Sequence, residues 1–348
     1  MTTFTVPLDD FDSSTSDGGL GTEVLIDRDR APLGSFVFGP AYDGTCFIIK
    51  DNLLYYCKPK EPETWPALFY IEVGTPQLPG ITGVFHNGQP HYFTRNAIYY
   101  IQGTGNNLFQ PIPLQARTGA QSIRGAVSIA GFGIAHTGPD GIYVFTNGTD
   151  KKITEDSLEP LFRGETVNGM SGVGNMDTSW LWHYRSSLYF GYAGVGGSYP
   201  TNLICLNLEN GKLAYYVFND GADIQMRSIG TDVTNKRLLI GDATGFVRTI
   251  DNVAYTDDSG TAISWEVQSK NFTLPTRAHF PRWVKYDVEV GSATVTGSLI
   301  LDDSIHHSHT ITGSRLIKRR LVGEGNGSTA AVRVSGTGRA TVYSVEFE

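Results

Sequence analysis

Short apolar runs carrying tyrosines, each introduced by small polar residues, recur along this chain as DNLLYYC (51–57), RNAIYYI (95–101), PDGIYVF (139–145), TNLICLN (201–207) and TGFVRTI (244–250). Aligned on Leu54, Ile98, Ile142, Ile204 and Val247, the copies are spaced by 44, 44, 62 and 43 residues. A period in the mid-forties with several short strands per unit is the pattern of a β-propeller, because each four-stranded blade buries its faces only against its neighbours. The first unit, SFVFGPAYDGTCFIIKDNLLYYCKP, predicts three strands with turns at Tyr42-Asp43-Gly44 and Lys50-Asp51-Asn52. The second repeats that plan around the hairpin signal Asn87-Gly88. The third turns at Gly131 and at Gly138-Pro139-Asp140-Gly141. In the fourth, the insertion GVGGSYP (194–200) between strands accounts for the spacing of 62, and SIGTDVTNKRLLIGDATGFVRTIDN returns to the short form. Five units are visible. The first strand of a chain commonly closes such a ring with the last one, so five or six blades both fit.

After Asp251 the period is lost. Longer alternating strands follow, ISWEVQSKNFTL, WVKYDVEV, ATVTGSLILDD, SRLIKRRLVG, AAVRVSG and ATVYSVEFE, and describe a β-sandwich. In WVKYDVEV, Val284, Tyr286, Val288 and Val290 share the face opposite Lys285, Asp287 and Glu289. Between the third and fourth units, KKITEDSLEPLFRG reads as a helical turn capped from Thr154 and ended near Pro160. The predicted organisation is an acidic arm over 1–33, a β-propeller over 34–251, a linker over 252–262 and a C-terminal β-sandwich over 263–348.

Composition agrees with an all-β class, with 41 glycines, 17 tyrosines and 18 phenylalanines in 348 residues and no long amphipathic helical run. The opening MTTFTVPLDDFDSS has neither a basic region nor an apolar core, and no apolar stretch is long enough for a membrane span, so synthesis and folding in the cytoplasm are expected. Cys46, Cys57 and Cys205 lack metal-ligand spacing and read as buried thiols, with a Cys46–Cys57 bridge open only in an oxidising compartment. The formal net charge is −8. Residues 1–33 hold seven carboxylates against Arg28 and Arg30, a balance of −5, which argues against a protein that grips phosphates.

Candidate chemistry is sparse. Sialidase-type Asp boxes do not occur, and of Asp43, Asp140, Asp242 and Asp251, the carboxylates a five-bladed glycosidase could pair, Asp43 and Asp140 sit beside glycine in turns. His307 and His309 of the HHSH run would share one strand face, without a third ligand at fixed spacing. Trp180 and Trp182 also share a face, suited to packing or to a sugar platform. Asn147-Gly148-Thr149, Asn271-Phe272-Thr273 and Asn326-Gly327-Ser328 match the glycosylation pattern but read as turn or strand residues. Two features read as interaction candidates. One is the basic run Lys318-Arg319-Arg320, which could meet an acidic arm of an adjacent subunit or DNA phosphate. The other is the loop GYAGVGGSYP with Gly194, Gly196 and Gly197, which lacks a nucleotide-binding context and reads as flexible. No catalytic residue, cofactor or metal is expected.

Three runs carry a resemblance: GIYVFTNGTDKKITEDSLEPLF, SWEVQSKNFTL with RWVKYDVEV, and the ending AAVRVSGTGRATVYSVEFE. In them the chain resembles the tail nozzle or hub proteins of short-tailed bacteriophages, also called tail tubular protein B. Members are often longer, so this chain would be a minimal version. The resemblance implies a non-enzymatic virion subunit, made in the host cytoplasm and assembled as a homohexamer at the end of the tail. Such a ring would dock a tail adaptor and fibres or tailspikes and let double-stranded DNA pass through its lumen without specific binding. The alternatives are a carbohydrate-active propeller, lectin or glycosidase, with a carbohydrate-binding sandwich, and a baseplate or fibre-attachment subunit.

Overall fold

The computed structural model describes residues 29–103, 109–154, 158–218, 224–250, 262–273, 283–291, 294–312, 317–320 and 327–347. Most of the expected acidic arm and nearly all of the expected linker lie outside the described residues. The chain divides into two units, Met1–Ile250 and Asp251–Glu348.

The first unit is a succession of antiparallel meanders. The first joins β1 (Phe36–Phe38), β2 (Phe47–Lys50), β3 (Leu53–Tyr56) and β4 (Tyr70–Glu72) in that order. The second joins β5 (Thr82–His86), β6 (Gln89–Phe93), β7 (Ile98–Gln102) and β8 (Gln110–Pro113), and the third β9 (Ala126–Ile129), β10 (Gly133–Thr137), β11 (Ile142–Thr146) and β12 (Thr149–Lys152). The fourth holds β13 (Val173–Tyr184), β14 (Ser187–Gly194), β15 (Asn202–Asn207) and β16 (Leu213–Val217). In the fifth, the described strands are β17 (Met226–Asp232), β18 (Arg237–Asp242) and β19 (Val247–Ile250). The sequence repeat marks the third strand of every meander: Leu54, Ile98, Ile142, Ile204 and Val247 fall on β3, β7, β11, β15 and β19. First strands abut in chain order, β1 against β5, β5 against β9, β9 against β13 and β13 against β17.

Each seam between meanders has its own apolar cluster. Phe38, Phe47, Tyr56, Tyr92 and Phe109 fill the first, and Phe93, Ile98, Ile134 and Phe145 the second. Ile142, Leu161, Phe190 and Ile204 belong to the third, and Trp180, Leu203, Met226 and Ile240 to the fourth. Burial against a neighbour is what such short strands need, since no isolated meander of this size covers its own faces.

The helix differs from its sequence reading. Helix α1 (Glu159–Phe162) begins at the glutamate and carries Pro160 in its first turn, where a missing N–H is harmless, so the proline starts the helix instead of ending it. Thr154 is not its cap; the Thr154 hydroxyl accepts the Ile142 N–H at 3.2 Å. The long fourth spacing also has more than one source. Besides the loop after β14, the connection 153–172 and the twelve-residue β13 lengthen this unit.

The second unit contains two sheets. One orders β20 (Ser264–Gln268), β26 (Thr329–Thr337), β23 (Thr294–Leu301) and β24 (Ser304–Ile311), with β21 (Phe272–Thr273) also on β26. The other orders β25 (Ile317–Arg320), β22 (Trp283–Val290) and β27 (Ala340–Phe347). Val284, Tyr286 and Val288 of one sheet join Val295, Ile311, Val332 and Val334 of the other in a single buried cluster, as the alternation of WVKYDVEV predicts. Among the described residues no helix is long and apolar enough to cross a membrane.

Candidate functional site

In a four-stranded meander the first and third hairpins emerge at the same end. That topology gathers the β5–β6, β9–β10 and β11–β12 tips at the seam between the second and third meanders. A cleft of about 530 Å³ opens there. Asn87-Gly88 and Asn147-Gly148 form its two outer tips, with φ near 51° and 76° in one and 49° and 77° in the other, the left-handed pair a two-residue hairpin requires. Asn87 and Asn147 both line the cleft. Phe132, from the β9–β10 turn, contributes a ring that is 48% exposed, and Ile134 and Phe145 supply an apolar wall.

Two histidines complete it. His86 Nδ1 lies 2.9 Å from the Ser128 hydroxyl on β9, tying the two meanders together, and the Asn87 amide lies 3.2 Å from His86 Nε2. His91 Nδ1 lies 3.1 Å from the Gln89 carbonyl oxygen, the geometry of donation to it, and its ring meets that of His86 edge-on at 6.3 Å. Burial lowers the pKa of His86, and burial above all lowers that of His91 to about 4, so both imidazoles are neutral near pH 7. None of the described residues lining the cleft carries a charge near pH 7.

Deeper in the same seam sits a polar clasp. His136 has a fully buried side chain between Phe93 and Tyr143, with Nδ1 3.0 Å from the Gly119 carbonyl and Nε2 2.9 Å from Asp150 Oδ1. The other Asp150 oxygen accepts the Arg117 N–H at 3.0 Å. The same Gly119 lets its segment pack against the second meander, because a Cβ there would lie 1.9 Å from the Thr94 carbonyl oxygen. Neither the cleft nor the clasp stands out in the sequence. Their residues lie on different strands, and the one local signal is the pair of Asn-Gly tips.

The carboxylates considered for catalysis hold turns. Asp43 accepts the Thr45 N–H at 3.0 Å, and Asp140 takes the Tyr143 hydroxyl at 2.8 Å and Lys152 at 3.2 Å. Asp242 gathers the Thr244 and Phe246 N–H groups and the Arg248 guanidinium around the β18–β19 turn. The Thr244 hydroxyl and Arg248 hold its carboxyl well below the usual carboxylate range. Asp251 lies outside the described residues.

Trp180 packs in the fourth seam, and Trp182 beside it donates to the Thr231 hydroxyl at 2.9 Å. His307 and His309 do share a face of β24, with ring centroids 6.0 Å apart, and His309 meets Tyr286 edge-on at 5.1 Å. Among the described residues no set of three or more His, Cys, Asp or Glu side chains is placed to hold a metal. Cys46 and Cys57 face each other as free thiols, the Cys46 N–H lying 3.0 Å from Cys57 Sγ.

The two interaction candidates belong to different units. On β25, Lys318, Arg319 and Arg320 pair in register with Lys285, Val284 and Trp283. Gly194 is buried at the end of β14 opposite Val173, while Gly196, at φ 82°, and Gly197 are exposed in the loop that follows. The ends of that loop make several contacts. The Pro200 carbonyl accepts the Met226 N–H at 2.8 Å, Gly197 N–H bonds the Gly194 carbonyl at 2.9 Å, and the Arg227 guanidinium lies 3.8 Å from the Tyr199 ring centre.

No protein-family model matches this chain, and no curated protein matches it in sequence. Solved structures similar to part of it include Hsv2 of Kluyveromyces lactis, at 9% identity and a TM-score of 0.38 over 65% of each chain. Hsv2 of Kluyveromyces marxianus gives 6% and 0.37 over 62% of each. The extracellular domain assigned to a one-component system of B. thetaiotaomicron gives 12% and 0.35 over 68% of this chain and 32% of that one. The chain thus spans less than two thirds of the length of each.

Proposed function

We propose that the five meanders are successive blades of a β-propeller, that the second unit is a β-sandwich, and that the chain is a structural, non-enzymatic subunit of a short phage tail in nozzle or hub position. The observation that carries this reading is the resemblance of three runs to that family, whose described residues fall mostly on strands. The first covers β11, β12 and α1, the second β20 to β22, and the third β26 and β27. Supporting it, the described carboxylates considered for a hydrolase are bound into turns, and the loop 194–200 is an exposed connection on a stranded scaffold. Assembly would be as a ring of roughly six copies, in keeping with the closed cyclic symmetry of most homo-oligomers. It would be attached to a tail adaptor and to fibres or tailspikes, with DNA passing through its lumen.

The test is a mass-spectrometric inventory of purified virions, scored for stoichiometry against the adaptor, together with electron microscopy of the tail tip. A ring of this chain at the tip supports the nozzle. Presence elsewhere in the tail moves it to a baseplate or fibre-attachment role. Absence from particles ends the structural reading.

A further inference from the structure

We propose that the cleft between the second and third meanders binds an uncharged carbohydrate, with a pyranose ring laid on Phe132 and its hydroxyls held by Asn87 and Asn147. The argument stands independently of the tail assignment. At about 530 Å³ the cleft lies within the span of small-molecule sites, roughly 300–1,000 Å³. Its lining joins an exposed aromatic face to groups that both donate and accept hydrogen bonds, the combination that matches a sugar ring with one apolar C–H face and a rim of hydroxyls.

The polar groups come from several elements rather than from one strand. Asn87 and Asn147 come from hairpins of different meanders, and the two imidazoles come from β5 and β6. Charge is the second discriminant. Burial of an anion or cation without a partner is expensive, and no lining residue offers one, with both histidines neutral near pH 7. The site is also preorganised. His86 is fixed by Ser128 and Asn87, and the Thr146 hydroxyl holds the Phe132 carbonyl at 2.6 Å, so little ordering accompanies binding.

The experiment is ligand-observed NMR and calorimetry on the full chain with maltotriose, cellotriose and chitotriose, against trigalacturonate and adenosine as charged and planar controls. The expected result is binding of at least one neutral trisaccharide. That affinity should fall about tenfold or more in Phe132→Ala and be kept in Phe132→Trp. Asn147→Gly, which preserves the turn while deleting the amide, should weaken it as well. Three results overturn the proposal: no neutral sugar bound at about 10 mM, a control bound as well as the sugars, or affinity unchanged in Phe132→Ala. Far-ultraviolet circular dichroism of each variant separates lost binding from lost fold.

Discussion

The first and second seams of the Met1–Ile250 unit solve the same packing problem with different chemistry. Between the first and second meanders, Phe47 touches Phe38, Phe85 and Phe109 at ring distances of 5.4, 5.9 and 5.2 Å, and Tyr56 meets Phe109 edge-on at 4.8 Å. Between the second and third, the apolar cluster is smaller and the centre is the His136–Asp150 clasp. The aromatic seam is closed by shape. The polar seam is closed by directed hydrogen bonds, and it is the one that opens into a cleft at its hairpin end. A fully satisfied buried hydrogen-bond network fixes one arrangement by direction, whereas interlocked rings fix theirs by shape.

The largest expected effects probe this contrast directly. Phe47→Ala should cost about 3–5 kcal/mol through a cavity in the first seam. Asp150→Ala should cost about 3–5 kcal/mol for another reason, since it strips the acceptor from a fully buried imidazole and from the Arg117 N–H. A second change separates the two mechanisms. Adding His136→Leu to Asp150→Ala should recover part of the loss, because the orphaned ring goes with it, while no polar partner change rescues Phe47→Ala. Urea unfolding of these three variants and of His136→Leu alone would reveal the difference, and full additivity of His136→Leu and Asp150→Ala would contradict the clasp.

Next in size is the pH dependence that His91 of the polar seam contributes. His91 has a folded pKa lowered to about 4, against roughly 6.5 when unfolded, so the unfolded chain takes up its proton first. The contribution is intact above about pH 6.5, declines as the pH falls, and is spent by about pH 4, a span worth about 3 kcal/mol. His91→Gln should flatten that part of the stability profile relative to wild type. An identical slope in the variant would mean that the residue is not held neutral.

Smaller again is Gly191→Ala. Gly191 pairs with Trp180 across β13 and β14, and a Cβ would stand 2.1 Å from the indole, so the substitution should cost about 1–3 kcal/mol and alter the near-ultraviolet signal of a buried tryptophan.

The parts of this architecture legible in sequence are those that local burial dictates. In the first four meanders the third strands are central and apolar, so their residues repeat and announce the period, which β19 (VRTI) carries on only weakly. Fourth strands are edges, and QPIP on β8 and TDKK on β12 show why they escape notice: an edge accepts prolines and lysines that a central strand would refuse. SIHHSHTI forms the eight-residue β24, which the sequence placed only as a strand face for His307 and His309, because histidines stand where aliphatic residues would signal alternation. The clasp and the cleft were not legible at all. His136 and Asp150 are fourteen positions apart on strands that are not direct partners, and the cleft exists only once neighbouring meanders stack.

The smallest effect carries the finest distinction. Asn87 and Asn147 occupy left-handed positions, where asparagine and glycine are both tolerated, so Asn87→Gly and Asn147→Gly should each change stability by no more than about 1 kcal/mol, mainly through the freedom added to the unfolded chain. Asn147→Val at the same φ should cost more, about 1–2 kcal/mol, because a β-branched side chain clashes there. If the glycine variants are as damaging as the valine one, the amides themselves hold the tips together and the end of the polar seam is structural. If only valine is damaging, the turn needs the backbone conformation alone, and the Asn147 amide, with that of Asn87 beside His86, can serve whatever enters the cleft.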